Sequence, residues 1–160
     1  MTHHHHHRPT PTPTPSMPPA DQDSLALLPE TAPRCVNSRL LLHALRRMAA
    51  GGLHDAHAAQ AFIGAFGTGF RRPLLLIRAL MAEMARISQR KFLVAPCCCG
   101  RMTRAEGVLL ALVAQGERNP HEAHERLAAL LGVRQCLGAL SSAQALGQAF
   151  ADLGRPLSLE

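Results

Sequence analysis

Residues 90–106, RKFLVAPCCCGRMTRAE, decide the fold, because only here is a chain of helical signals interrupted. Lys91, Phe92, Leu93 and Val94 lean towards extended structure, and Pro96 ends the run because it has no amide to donate. Cys97, Cys98 and Cys99 follow. Thr103 with Glu106 then has the spacing of a capping box, in which each side chain bonds the other residue's amide. The stretch therefore predicts one short extended segment near 91–99 and a helix from about Arg104 to Gln115.

Upstream, Leu41, Ala44, Leu45 and Met48 recur at i, i+3, i+4 and i+7, which predicts a helix over 38–50 stopped by Gly51 and Gly52. Its other side carries Arg39, His43, Arg46 and Ala50, a basic stripe. A second helix is expected over 54–66, with Ala61, Phe62 and Phe66 inward and a Gly67-Thr68-Gly69 break. The third is expected over 72–89, with Pro73 in its first turn and an apolar face of Leu74, Ile77, Leu80, Met81, Met84 and Ile87. Arg71, Arg78, Arg86 and Gln89 line its far side.

Downstream, Asn119-Pro120-His121-Glu122 gives a cap, a first-turn proline and a first-turn acid, predicting a fifth helix to Leu131 closed by Gly132 in the left-handed region. A short helical piece over 133–137 and a last helix, capped by Ser141 or Ser142 and running to about Leu153, complete the pattern. At an offset of 67, LLHAL (41–45) echoes VLLAL (108–112) and HDAH (54–57) echoes HEAH (121–124). Either two helical hairpins are related, or Ala- and Leu-rich helices resemble one another by composition.

The 160 residues suffice for one domain with a real core. With no Trp or Tyr and five Phe, that core must be built from Leu, Ala, Met, Ile and Val, a helix-forming set. The expected fold is all-α: a single irregular or orthogonal bundle of five to six helices over 34–156. A His- and Pro/Thr-rich tail over 1–33 is expected to be disordered, with a short amphipathic turn over 24–28 as an exception.

Charge is uneven. From Arg34 to Arg104 there are 12 basic residues against Asp55 and Glu83, whereas residues 105–160 have 4 basic and 6 acidic. The first part can meet a polyanion. No signal peptide and no apolar run of membrane length is visible, so a cytoplasmic setting without membrane contact is expected, with the cysteines as thiols or ligands rather than a disulfide framework.

The run MAAGGLHDAHAAQAFIGAFGTGFRRPLLLIRALMAEMARIS (48–88), followed by APCCCGRMT (95–103), resembles a small family of alphaproteobacterial proteins, mostly from sphingomonads, known only as a domain of unknown function. The resemblance covers about 35–156. It implies a bacterial cytoplasmic setting and supplies no activity, cofactor or catalytic residue.

Two constellations carry chemistry. Cys97, Cys98 and Cys99 precede a helix start and two arginines, a setting that favours thiolate and suits a redox group or a soft-metal ligand. With Cys97 and Cys99 supplying two ligands, Cys136, Cys35, His121 or His124 would supply the rest of a zinc site, since zinc needs four N or S ligands. The spacing is not that of a zinc knuckle; no cofactor is expected, with zinc or another soft metal as the exception.

Arg71, Arg72, Arg78, Arg86, Arg101 and Arg104 are the candidates for contact with an anion or partner. The second helix, its glycine break and the third helix can also be read as a helix-turn-helix that meets DNA phosphates through Arg71, Arg72 and Arg78, although the third helix lacks side chains for reading base edges. Cys98-x5-Arg104 has phosphatase spacing, but that chemistry belongs to a parallel α/β sheet. No catalytic acid–base pair stands out. The reading is a helical interaction or regulatory module for an unidentified protein partner. A thiol- or metal-dependent sensor and a DNA-binding regulator are the alternatives, and Phe62, Phe66 and Phe70 offer a patch for self-association.

Overall fold

A computed structural model describes residues 27–160. Among them the chain forms β1 (Glu30–Thr31), α1 (Val36–Gly51), α2 (Ala56–Phe66), a 3-10 turn (Gly67–Phe70), α3 (Arg71–Ile87), β2 (Arg101–Met102), α4 (Arg104–Gln115), α5 (Pro120–Leu131) and α6 (Leu137–Asp152). The fold is all-α, and its one sheet is a two-residue antiparallel pairing of Glu30 with Met102 and Thr31 with Arg101.

The helix stops are where glycine allows them. Gly52, Gly67, Gly132 and Gly154 all have positive φ, and Gly132 closes α5 at φ 71°, ψ 31° with its amide on the Ala128 carbonyl. The expected capping box opens α4, with both reciprocal bonds between Thr103 and Glu106 present. Asn119 caps α5 with Pro120 in its first turn, and Asp55 caps α2 by accepting from the Ala58 amide.

The expected apolar faces meet in one core. Leu41, Leu45, Phe62, Ile77, Leu80, Leu109, Leu127 and Leu146 are all sealed from solvent. α3 lies along α6, α1 packs on α2 and on α4, and α4 packs on α5 and α6. Where α6 crosses α4, a Cβ on Gly147 would sit 2.1 Å from the Val113 carbonyl oxygen, so only glycine lets the two backbones approach this closely.

Three expectations are corrected. The tail over 1–33 lies mostly outside the described residues, as does most of the turn over 24–28, but residues 28–33 are held in place: Thr31 lies in β1 and the Ala32 amide donates to the Gly100 carbonyl at 2.9 Å. The run 91–96 is non-helical, as the expected extended segment requires, and the one paired strand nearby is Arg101–Met102. The last helix begins at Leu137 instead of after Ser141, because the stripe Ala139, Leu140, Ala143, Leu146 and Phe150 is buried continuously and draws both serines into the helix. No phenylalanine patch forms. Phe62 is 0% exposed, Phe66 and Phe70 pack on the core, and Phe150 meets Phe62 and Phe66 edge-on with centroids 6.0 and 4.9 Å apart.

The sequence echo does not mark structural equivalents. In HDAH, Asp55 is the cap before α2, whereas HEAH lies wholly inside the first turn of α5.

After α6 the chain folds back on the start of α1. Arg34 and Cys35 amides donate to Glu160, Asn37 donates to the Pro156 carbonyl, and Ser38 exchanges hydrogen bonds with Ser158.

Candidate functional site

The cysteine turn is built on a buried cation. Arg46, read from the sequence as part of an outward basic stripe, is 3% exposed. Its Nε and Nη2 donate to the two Glu106 carboxylate oxygens at 2.8 and 3.0 Å. The remaining donors reach the carbonyls of Pro96 (3.2 Å), Cys99 (2.7 Å) and Arg101 (2.6 Å). A guanidinium has five N–H donors, and here all five are used. Glu106 is equally satisfied, because its oxygens also accept from the Ala95 amide at 3.1 Å and the Thr103 amide at 2.9 Å. Burying two charges is tolerable only with this degree of pairing and hydrogen bonding. The outward reading of Arg46 fails because three carbonyls of 96–101 and both carboxylate oxygens of Glu106 converge on it from 50 to 60 residues away, which no helical periodicity records.

Held in this way, 96–99 forms a turn closed by the Cys99 amide on the Pro96 carbonyl at 3.0 Å. Cys98 is exposed, and Cys97 and Cys99 are half-buried. Cys98, Cys99 and Gly100 line a cleft of about 340 Å³ together with Arg34, Arg39, His43 and Arg46. Arg34 and Arg39 are exposed, and no carboxylate among the described residues pairs with either. Cys97 lies on the side of Arg47. That guanidinium is held charged by hydrogen bonds to Asp55, with a smaller contribution from Cys97. Arg47 in turn holds the Asp55 carboxyl down to about 2.

The other candidate ligands do not join the triplet. Cys136 is buried at the start of α6, where burial pushes its thiol up, and its sulfur lies 3.6 Å from the His124 carbonyl. His124 Nε2 is buried without a hydrogen-bond partner. His121 is largely exposed and lies 3.3 Å from Glu125. Among the described residues, no three His, Cys, Asp or Glu side chains come together as a metal site. Cys35, at the head of α1, has its thiol raised by burial but lowered further by hydrogen bonds from Ser38, Ser158 and Asn37, and the net direction is down.

Most of the six candidate arginines are engaged within the fold. Arg72 pairs with Asp152 at 2.7 Å, Arg78 donates to the Leu53 carbonyl at 3.0 Å, and Arg86 holds Glu83 with two bonds of 2.6 and 3.0 Å. Arg101 donates to the Leu28 and Pro29 carbonyls at 2.7 and 2.9 Å, which fastens the ordered end of the N-terminal segment across β2. Arg71 and Arg104 are exposed; Arg104 rims a separate apolar trough of about 570 Å³ that Leu93, Val108 and Leu130 also line. Sequence reasoning missed Arg34, and placed Arg39 and His43 on a stripe without recognising that the cysteine turn faces it. The i, i+4 spacing of 39 and 43 was the available signal; the nearness of the cysteine turn was not.

Among the described residues no helix is long and apolar enough to cross a membrane. No curated protein and no solved structure matches the chain. The model of the family of unknown function DUF6628 matches residues 20–155, and the chain belongs to that family.

Proposed function

We propose that the domain is a cytoplasmic bacterial binding module that receives an acidic segment of a partner protein in the cleft between α1 and the cysteine turn. The observation that carries this reading is the pair Arg34 and Arg39, two exposed guanidiniums on a concave wall with no carboxylate of the described residues to neutralise them. A guanidinium is weakly hydrated and grips carboxylates with a planar fork, so it suits this task better than an ammonium. The cysteine turn that lines the cleft is held by the Arg46 network, which lowers the ordering cost of binding.

The arginines of α3 support a DNA-binding role less well, because Arg72 and Arg78 already hold Asp152 and the Leu53 carbonyl. A fluorescently labelled Glu-rich peptide, titrated with the full chain at low and high salt, tests the module. Binding that weakens with salt and is lost in Arg34→Ala/Arg39→Ala is the expected result. Binding indifferent to that double variant overturns the reading, and duplex binding that depends on Arg71, Arg72 and Arg78 would replace it.

A further inference from the structure

Three features invite chemistry: the apolar trough beside Arg104, the unpartnered His124 nitrogen, and the thiols of the cleft. For the trough, nothing in the structure shows what covers it. The His124 nitrogen lines neither the cleft nor the trough. The thiols are different, because an exposed nucleophile shares a concave site with cations that can orient a reagent.

We infer that Cys98 is a site of reversible modification by an anionic low-molecular-weight disulfide, whose carboxylates are received by Arg34 and Arg39. The inference rests on the binding-module reading of the same cleft and adds its regulation. Of the five cysteines, Cys136 is buried and Cys35, Cys97 and Cys99 are half-buried, so Cys98 is the one exposed thiol. Its immediate neighbours in sequence do not readily trap it, since a disulfide prefers α-carbons ~5.5 Å apart and adjacent ones sit ~3.8 Å apart. The oxidised thiol therefore pairs with an incoming molecule.

The step is a thiol–disulfide exchange. The Cys98 thiolate attacks one sulfur of the disulfide, a bond forms between Cys98 Sγ and that sulfur, and the reagent's S–S bond breaks. The second half leaves as a thiolate and takes up a proton from water. The Cys98 sulfur is oxidised and the departing sulfur reduced by the same amount, the retained sulfur staying at the disulfide level, and a thiol of the same class reverses the reaction. The attached group brings its carboxylates into the cleft, covers Arg34 and Arg39, and displaces an acidic partner.

The test treats the full-length protein with glutathione disulfide, which is anionic, and in parallel with bis(2-aminoethyl) disulfide, which is cationic, and follows each adduct by intact and peptide mass spectrometry. Adduct at Cys98 forming roughly tenfold faster with the anionic reagent, with that ratio collapsing towards one in Arg34→Ala/Arg39→Ala, is the expected result. The ratio between reagents removes any change in the thiol's own reactivity. Equal rates with both reagents, or adduct mainly on Cys35 or Cys97, overturns the inference. Cys98→Ser separates the two proposals. If it still binds the Glu-rich peptide while wild type fails to prefer glutathione disulfide, the module stands and its regulation falls. If the double variant alters neither peptide binding nor the reagent ratio, both fall.

Discussion

Arg46 on α1 and Glu106 in the first turn of α4 meet in a two-pronged ion pair of 2.8 and 3.0 Å, sealed from solvent, that also holds the backbone of the cysteine turn. The pair joins three pieces of chain: a helix, a capping box and a loop. Losing either partner leaves a buried charge facing unsatisfied backbone groups.

Arg46→Met is expected to destabilise the domain by about 3–5 kcal/mol, measured by urea denaturation. In many proteins a buried ion pair can be exchanged for two apolar residues with little loss. Here Arg46→Met/Glu106→Leu is expected to remain destabilised, because the carbonyls of Pro96, Cys99 and Arg101 and the amides of Ala95 and Thr103 lose their partners. A double variant as stable as wild type contradicts the role given to the pair.

Two glycines inside helices are expected to respond oppositely to alanine. At Gly147 the new Cβ meets the Val113 carbonyl at 2.1 Å, and Gly147→Ala should cost about 1–3 kcal/mol as α6 is pushed off α4. At Gly64, exposed on α2 with nothing within 4 Å, Gly64→Ala should add about 0.5–1 kcal/mol by restricting the unfolded chain. Thermal melts of the two variants beside wild type decide both.

Asp55 links stability to pH. Its carboxyl is lowered from an ordinary 3.8 to about 2, first by Arg47 and then by the Ala58 amide. A carboxyl depressed by folding stabilises fully above its unfolded value and loses that contribution as pH falls through its folded one. The stability gap between wild type and Asp55→Asn should stay constant above about pH 4 and close between about 4 and 2. Acid titrations of both proteins in fixed urea measure it; a gap that closes already near pH 6 contradicts the assignment.

Cys136 should be the last thiol to react. It is 2% exposed and burial raises its thiol, so iodoacetamide should reach it only when α6 detaches or the domain unfolds. Its rate should therefore follow urea concentration, while Cys98 labels rapidly in native buffer. Peptide mass spectrometry reads both; equal native rates would show that α6 does not seal this position.

The frame of the fold was legible in the sequence because helix starts and stops are local chemistry. Thr103 with Glu106, Asn119 with Pro120, and Gly132 each act within a turn or two of their own position, and each stands where its residue type implies. The site was less legible. Helical periodicity assigns an arginine among polar neighbours to the surface, and Arg46 is buried only because Glu106 and three carbonyls arrive from elsewhere in the chain. The α3 arginines illustrate the reverse. Arg72 and Arg78 look free in the sequence, yet each has an acceptor that only the folded chain supplies, whereas Arg86 has Glu83 one turn back on its own helix. Cys97, Cys98 and Cys99 were singled out correctly as a cluster, but the cations that face them lie on α1 and just before it, more than fifty residues upstream.

The dependence of the thiol triplet on a side chain from α1 means that it is not a portable motif. A peptide copied from 90–106, or the same letters transplanted onto another scaffold, would lack the five-pronged clamp and relax into an ordinary loop. Homologous chains that vary the three thiols while keeping Arg46 and Glu106 would preserve the shape of the turn and change only its chemistry. Chains that keep the thiols and lose the clamp would do the opposite.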